Sequence, residues 1–323
     1  MSGAREVSEL AKVRARPGLY VGSTEGHGLF QLLGDVVGNA IDEYLAEHAT
    51  RVTVEVSDEG WVTVADNGWG LPLRERLDEV FLTLHTGPTL DGKSPHVHLA
   101  PRIAGVGVAV VNALCSRFEV ESRFLGTALR AAFERGVLVE PLTEVPFEGQ
   151  GTTLRFLPDE ALFGSSRLDL ERVEVWLTEL AWLCPLLDLG FQGRSLRQPR
   201  GLGGLVEALA GELLPGSPFS VQDNVDDVMV EVALGWSARG GPAQVRSFVN
   251  YRPTSSGSHA RGVVNVLGEP RGLVAVVHAG LQHPRFREPT KAVLEVKAVE
   301  FAVEAALRQA IAERGGWWRS KLR

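Results

Sequence analysis

The chain has few of the features that stabilise extracellular or membrane proteins. Only two cysteines, Cys115 and Cys184, occur among its 323 residues, which argues against a disulfide framework. It also lacks a run of about 18 apolar residues and a charged-then-apolar leader, which argues against a membrane-spanning helix and a signal peptide. We therefore expect a cytoplasmic protein that does not contact a membrane.

An excess of basic residues is also missing. The 33 basic residues are outnumbered by 40 acidic ones, and the net charge is −7. Because DNA-binding modules neutralise phosphates with Lys and Arg, this balance argues against a free-standing DNA-binding module, although a local basic patch stays open. The composition is otherwise globular, and the length favours two domains, since a domain averages roughly 150 residues.

Residues 35–43, with the sequence DVVGNAIDE, carry polar residues at helical spacing. Asp35, Asn39 and the pair Asp42 and Glu43 fall on one helix face, because positions three and four apart are neighbours. The opposite face is apolar and holds Leu33, Val37, Ile41, Tyr44 and Leu45. Oxygen ligands beside a carboxylate suit magnesium and an attacking water. Taken alone, this pattern is more often a solvated helix face.

A second group of candidate residues follows a predicted β-hairpin. Residues 51–56 and 61–65 alternate apolar and polar side chains around a turn, so Asp66 is expected where a strand ends. A carboxylate there can accept a hydrogen bond from the exocyclic amine of adenine. Gly68 and Gly70 would let the backbone approach a flat base without obstruction by a β-carbon.

A third group opens a helix after a long loop. Residues 86–103 are rich in helix breakers, as in many lids, and Gly105, Val106 and Gly107 then begin an apolar helix. Backbone amides at such an N-terminus can hold phosphate oxygens. Each glycine motif is weak alone, but the order and spacing of the three groups are uncommon.

Read with RARPGLYVG at 14–22 and PTK at 289–291, these motifs resemble the ATPase region of the DNA gyrase B subunit and its topoisomerase IV counterpart. Those proteins belong to the gyrase, chaperone, histidine-kinase and mismatch-repair ATPase superfamily. The resemblance extends from Val13 to about Ile311. It implies an α+β fold: a two-layer α/β sandwich with a mixed sheet, followed by a smaller α/β transducer domain.

We place the ATP-binding domain at 1–204 and the transducer-like domain, with a shortened crossover, at 205–323. In the second domain, the periodicity predicts helices and strands in alternation. The expected elements are a helix at 205–213, strands at 228–235, 244–251, 263–267 and 272–278, and a helix at about 290–314.

The resemblance also implies roles for individual residues. Asn39 would bind magnesium, Asp66 the adenine amine, and Gly70 the base region, while Thr152 would support Asp66 and an ordered water. Asp35 would act as the catalytic base, and Lys291 would reach the γ-phosphate. The remaining nucleotide contacts would come from Glu43, Pro72, Arg102, Gly105, Val106, Gly107 and Arg130.

Several positions depart from the family pattern. Asp35 stands where the family has a glutamate, so the base is shorter by one methylene. Trp69 stands where the family has an arginine that pairs with the acid corresponding to Glu43. In the phosphate loop, Pro101 and Arg102 replace family residues and stiffen the chain, because proline fixes φ and removes an N–H donor. The lid lysines are displaced, and Lys93 or Arg102 would substitute.

Two functional hypotheses follow. The first is an Mg-ATP-binding, gyrase B-like module, a weak ATPase that forms a homodimer when nucleotide binds and contacts DNA only indirectly if at all. Without DNA-cleavage domains it would not be a complete topoisomerase. It would be either a stand-alone, shortened paralogue or part of a gyrase or topoisomerase subunit. The second is a non-hydrolysing nucleotide-binding regulator or decoy partner of DNA gyrase.

Overall fold

The computed structural model describes residues 9–84, 107–124, 126–147, 149–287 and 292–314. The chain divides into two compact units: residues 1–177 with 187–196, and residues 178–186 with 197–323. The domain bounds inferred from the sequence, 1–204 and 205–323, stay a prediction. In the part of the chain that is described, no helix has the length and apolarity needed to cross a membrane.

The first unit combines helices with a large sheet. Its helices are α1 (Glu9–Ala15), α2 (Gly18–Val21), α3 (Gly26–Leu45), α4 (Leu73–Phe81), α5 (Gly107–Leu114), α6 (Glu160–Phe163) and the start of α7 (Leu170–Leu183). Its strands are β1 (Arg51–Val56), β2 (Val62–Asp66), β3 (Cys115–Phe124), β4 (Thr127–Glu134), β5 (Val137–Pro146), β6 (Gly151–Pro158), β7 (Asp188–Phe191) and β8 (Arg194–Ser195).

These strands form one eight-stranded mixed sheet in the order β5-β4-β3-β6-β2-β1-β7-β8. The hairpin predicted at 51–65 is present as β1 and β2, paired with Val54 opposite Val64. Only β1 and β7 pair in parallel among these strands. The α+β class with a mixed sheet is confirmed, because short hairpins supply antiparallel neighbours and a helical connection supplies the parallel one.

One face of this sheet is apolar because strand side chains alternate between faces. Three phenylalanines, Phe81, Phe118 and Phe133, are fully buried, with ring centroids 5.5 to 6.1 Å apart. Helices α3 and α5 cover this face, and both contact β6. The hydrophobic residues of α3 therefore point to the sheet, which leaves its polar residues on another side.

The opposite face of β3 and β4 is lined by ion pairs. Arg117 contacts Glu119 at 3.1 Å, and Arg130 contacts Glu121 at 2.6 Å across the strands. Arg130 is 54% exposed, so the second pair contributes little, about 0–1 kcal/mol for a surface pair. This face is consequently a solvated one, and the unit has a helix layer on its other side.

The second unit has its own sheet and helices. Its helices are the end of α7, α8 (Gly201–Ala210), α9 (Ser258–Leu267) and α10 (Lys297–Arg314). Its strands are β9 (Phe219–Val225), β10 (Val228–Trp236), β11 (Gln244–Val249), β12 (Arg252–Thr254), β13 (Ser256–Gly257), β14 (Leu273–Gly280) and β15 (Val293–Leu294). Five strands form a sheet in the order β12-β11-β14-β10-β9, and β13 pairs with β15.

The core of the second unit lies between this sheet and its helices. Strand β14 is buried along its whole length, including Val276 and Val277, and pairs with β10 and in parallel with β11. Val303 and Leu307 of α10 are fully buried in the same core. A strand covered on both faces reads as a continuous apolar run, as β14 does.

The strand predicted at 263–267 is wrong. These residues form the second half of α9, whose buried positions Ser258, His259, Gly262, Val263 and Leu267 follow helical spacing. A short valine-rich run does not by itself distinguish a strand from a buried helix. Helix α9 here makes the crossover between the parallel strands β11 and β14.

Candidate functional site

Asp66 ends β2 and is the centre of the candidate site. Its side chain is 8% exposed, and its Oδ1 accepts hydrogen bonds from the backbone N–H groups of Gly68 at 2.8 Å and Thr152 at 3.3 Å. Within the described residues no hydrogen bond reaches Oδ2. The carboxylate is thus fixed through one oxygen, and the other is left to accept a donor.

Burial raises the pKa of Asp66 to about 6. The hydrogen bonds from Gly68 and Thr152 and the charge of Arg123 act in the opposite direction, whereas the negative charge of Glu43 raises the pKa further. Ionised Asp66 is therefore short of stabilising partners in the protein alone. A ligand that donates a hydrogen bond would supply one.

Three glycines allow the chain to close around this carboxylate. A β-carbon on Gly151, where φ is +125°, would lie 2.1 Å from the carbonyl oxygen of Asp66. On Gly70, where φ is +81°, it would lie 2.5 Å from the carbonyl oxygen of Arg123. On Gly68 it would lie 2.6 Å from Glu43 Oε2 and 2.9 Å from Asp66 Oδ1. No residue with a side chain fits these positions without displacement.

Helix α3 brings the predicted polar residues to this site. Asp35, Asn39 and Glu43 recur at four-residue spacing and are half-buried. Glu43 reaches the loop after Asp66, where its Oε2 accepts a hydrogen bond from the backbone N–H of Trp69 at 3.2 Å. Since a helix rises about 1.5 Å per residue, Asn39 and Asp35 follow about 6 and 12 Å further along the axis.

Glu43 has a partner that the sequence did not indicate. His48 Nδ1 lies 3.4 Å from Glu43 Oε2, and the His48 ring is stacked on Trp69 with centroids 3.9 Å apart and planes at 10°. The arginine that the resemblance implied at position 69 is indeed missing. A histidine from the end of α3 takes the place beside the glutamate.

Other predicted residues lie nearby. Thr152, on β6, is 7% exposed and holds Asp66 through its backbone. Pro72 precedes α4, and Leu71 between it and Gly70 is tied to the buried Ser122 hydroxyl in both directions. Gly107 is the first residue of α5 and has a φ of +37°. The structure thus brings Asp66, Thr152, Gly70 and Glu43 together directly.

Four predicted residues lie outside the described residues: Arg102, Gly105, Val106 and Lys291. Their roles stay predictions. Arg130 is described, but it lies on β4 and binds Glu121 through Nε at 2.6 Å. Arg123 is the arginine whose charge acts on Asp66, and it lies opposite Gly151 in the strand register.

Comparison with known proteins agrees with this geometry. Residues 24–162 match the family described as histidine kinase-, DNA gyrase B-, and HSP90-like ATPase. The DNA gyrase B protein of Thermus thermophilus is 32% identical over 336 residues, which cover 91% of this chain and 52% of that protein. The B protein of DNA topoisomerase 4 from Salmonella typhimurium is 34% identical over 273 residues, covering 79% and 42%.

Solved structures give the same result. The 43K ATPase domain of Thermus thermophilus gyrase B, crystallised with an aminocoumarin, superposes with a TM-score of 0.76 at 28% identity and covers 95% of this chain and 89% of that one. The chain belongs to the gyrase B type of this ATPase family. The B-subunit of DNA gyrase from Myxococcus xanthus, with a TM-score of 0.81 at 24% identity, shares the fold and covers 95% of each chain.

This gyrase B-type chain spans about half the length of the curated gyrase relatives that it matches. Its ATP-binding module accounts for the arrangement around Asp66. Sequence reasoning missed Gly151, Arg123 and His48 as members of the site. The signal for Gly151 was its place directly before Thr152, whereas the positions of Arg123 and His48 depend on strand register and on the end of α3.

Proposed function

We propose that this gyrase B-type chain binds Mg-ATP in its first unit and hydrolyses it slowly. The observation that carries the proposal is Asp66, a buried carboxylate with one oxygen held by the protein and the other left to accept. The exocyclic amine of adenine supplies the matching donor. Gly68 and Gly70, which flank Trp69, let backbone approach a flat ring at the same place.

The polar face of α3 fits the metal and phosphate end of the nucleotide. Asn39 is half-buried, and its side chain makes no hydrogen bond within the described residues, so it is available as an oxygen ligand. The described part of the chain holds no cluster of three His, Cys, Asp or Glu side chains suited to a metal. That suits magnesium, which takes one or two protein oxygens together with phosphates and waters. When bound, the ion would neutralise phosphate charge.

Two further elements complete the proposed site. The N-terminus of α5 at Gly107 offers backbone N–H donors for phosphate oxygens, where the helix dipole also favours negative charge. Asp35, two turns before Glu43 on the same helix, would accept the proton of the attacking water. Because its side chain is one methylene shorter than glutamate, the base stands further from that water, and a misplacement near 1 Å costs about 10²-fold in rate.

Calorimetry of nucleotide binding, together with phosphate release, tests the proposal. The wild type should bind ATP and release phosphate slowly, Asp35→Asn should bind but lose turnover by about 10²-fold or more, and Asp35→Glu should accelerate it. Asp58→Asn, in the exposed turn between β1 and β2, is the matched control and should change neither quantity. If Asp66→Ala leaves ATP affinity unchanged, the assignment of the pocket is wrong.

Asp35 also favours a second candidate, a non-hydrolysing regulator or decoy partner of DNA gyrase. On this proposal the wild type binds ATP without releasing phosphate, and Asp35→Asn behaves identically. Phosphate release that disappears in Asp35→Asn would exclude it. The same assay therefore separates the two functions.

Dimerisation on nucleotide binding is a further part of the first proposal. Light scattering with a non-hydrolysable ATP analogue and Mg²⁺ should show a doubling of mass that Asp66→Ala abolishes. An unchanged mass at saturating analogue would contradict the dimer. Membership of a gyrase or topoisomerase assembly, and any contact with DNA, would then be tested by co-purification of the chain with a gyrase A-type protein.

A further inference from the structure

A pair of stacked rings borders the loop that follows Asp66. The His48 and Trp69 rings lie 3.9 Å apart at 10°, although Trp69 is 53% exposed. An exposed tryptophan is usually mobile, and ordering one costs side-chain entropy. Here the ring is ordered against a histidine whose side chain is 23% exposed. The stack is consequently a defined element of the site's rim.

Both members of the stack hold the same carboxylate oxygen. Glu43 Oε2 accepts from the backbone N–H of Trp69 at 3.2 Å and lies 3.4 Å from His48 Nδ1. That nitrogen is buried and makes no other hydrogen bond within the described residues. The loop, the end of α3 and Glu43 are thus fixed at one point.

This point lies next to Asp66. The position that a β-carbon would take on Gly68 is 2.6 Å from Glu43 Oε2 and 2.9 Å from Asp66 Oδ1, so the two carboxylates flank the same glycine. Like charges this close oppose each other's ionisation. The charged groups that act on Asp66 are Glu43, which disfavours its ionised form, and Arg123, which favours it.

We infer that the His48–Trp69 stack is a positioning element for the nucleotide site, which holds Glu43 against the 66–70 loop and sets the charge that Asp66 meets. This inference rests on the proposed nucleotide function. His48 and Trp69 act through Glu43 and the loop, and they need not touch the nucleotide. The stack does the work that an ion pair at position 69 would do, by a contact that only this histidine and tryptophan together provide.

The test uses the full chain and four variants: Trp69→Ala, Trp69→Phe, His48→Ala and the control Trp61→Ala. Trp61 is a tryptophan of the same unit whose ring lies 4.0 Å from the guanidinium carbon of Arg155. Two quantities are measured for each variant: the titration midpoint of Asp66 by carboxyl-carbon NMR without nucleotide, and ADP affinity by calorimetry. Thermal unfolding shows which variants are folded.

Loss of the stack should leave the charge of Glu43 less compensated. We expect the Asp66 midpoint to rise by about 0.3 to 1 pH unit in Trp69→Ala and His48→Ala. ADP affinity at pH 7 should fall about two- to tenfold in both, since an aromatic pair is worth that factor. Trp69→Phe should restore both values, and Trp61→Ala should change neither.

Two results would overturn the inference. If both alanine variants are folded and keep the wild-type Asp66 midpoint, the stack does not set the charge at Asp66. If Trp69→Phe is as impaired as Trp69→Ala, a stacked ring is not what the site requires. Failure of the wild type itself to bind ADP would instead contradict the proposed nucleotide site, and the NMR midpoints would still decide the role of the stack.

Discussion

Among individual residues, stability and recognition oppose each other at Asp66. The folded protein raises its pKa to about 6 from an ordinary 3.8. A carboxyl group with a raised folded pKa binds protons more tightly in the folded state, so folding stability falls as the pH rises from about 4 through 6. Above pH 6 the ionised group costs the fold on the order of 3 kcal/mol.

Asp66→Asn should therefore stabilise the protein without nucleotide. Asparagine keeps an oxygen for the N–H groups of Gly68 and Thr152 but carries no charge. We expect a gain of up to about 3 kcal/mol at pH 7.5 that disappears near pH 4, measured by urea unfolding at both pH values. The same variant should bind ATP at least about tenfold more weakly. Equal stability at pH 7.5 would contradict the raised pKa.

Gly151 is the second residue that the site cannot exchange. A β-carbon there would lie 2.1 Å from the Asp66 carbonyl oxygen, and φ is +125°. Gly151→Ala should destabilise the fold by about 2 kcal/mol or more and weaken ATP binding, because the strand that holds Asp66 must move. Gly18→Ala is the control, since a β-carbon there meets nothing within 4 Å. Equal melting temperatures for the two variants would refute this.

Among the helices, α3 acts as the scaffold of the site. One face packs on the sheet and the other aligns Asp35, Asn39 and Glu43 toward the loop after β2. Helix α1 is fixed differently, through an ion pair. Arg14 donates to Asp159 at 2.6 Å and to the carbonyl of Ala113 at 2.8 Å, and Arg135 donates to Asp159 at 2.9 Å.

Asp159→Asn tests the anchor of α1. Burial by itself would raise the pKa of Asp159, but the guanidinium groups of Arg14 and Arg135 outweigh it and lower the pKa. A lowered folded pKa means that this stability is present at neutral pH and is lost as the pH falls below 3.8. We expect a loss of about 1–3 kcal/mol at pH 7 and little difference near pH 2.5, measured by chemical denaturation.

The neighbouring residue supplies the control for that experiment. Glu160 pairs with Arg167 at 3.1 Å, and both side chains are more than half exposed. Glu160→Gln should change stability by less than about 0.5 kcal/mol. Asparagine at 159 can still cap α6, as Asp159 does through the N–H of Ala161, so the difference between the two variants reports the buried charge.

In the molecule as a whole, each unit has a core of its own. Phe118 is fully buried in the first unit and Val277 in the second. A core substitution should therefore loosen mainly the unit that contains it. This independence is the expected behaviour of domains with separate cores.

Hydrogen exchange with a matched pair of variants measures that independence. Phe118→Leu should speed exchange in β3 and β4 and weaken ATP binding, whereas Val277→Ala, costing about 2–3 kcal/mol, should speed exchange in β10 and β14. In Val277→Ala, ATP affinity should stay within about twofold of wild type. Faster exchange around Asp66 in Val277→Ala would show that the two units are coupled.

Local sequence patterns were enough to predict the α+β class, the amphipathic helix α3, the β1–β2 hairpin and the position of Asp66 at a strand end. These features depend on periodicity and on turn residues, which the order of amino acids specifies directly. The run at 263–267 was misread because it is too short for periodicity to separate strand from helix.

Tertiary packing selects which distant residues meet at the site. Arg123 rather than Arg130 acts on Asp66 because the strand register places Arg123 opposite Gly151 and Arg130 opposite Glu121. His48 and Trp69 meet because the end of α3 and the loop after β2 lie side by side. A contact between residues far apart in sequence depends on how elements pack, and no local pattern encodes that packing.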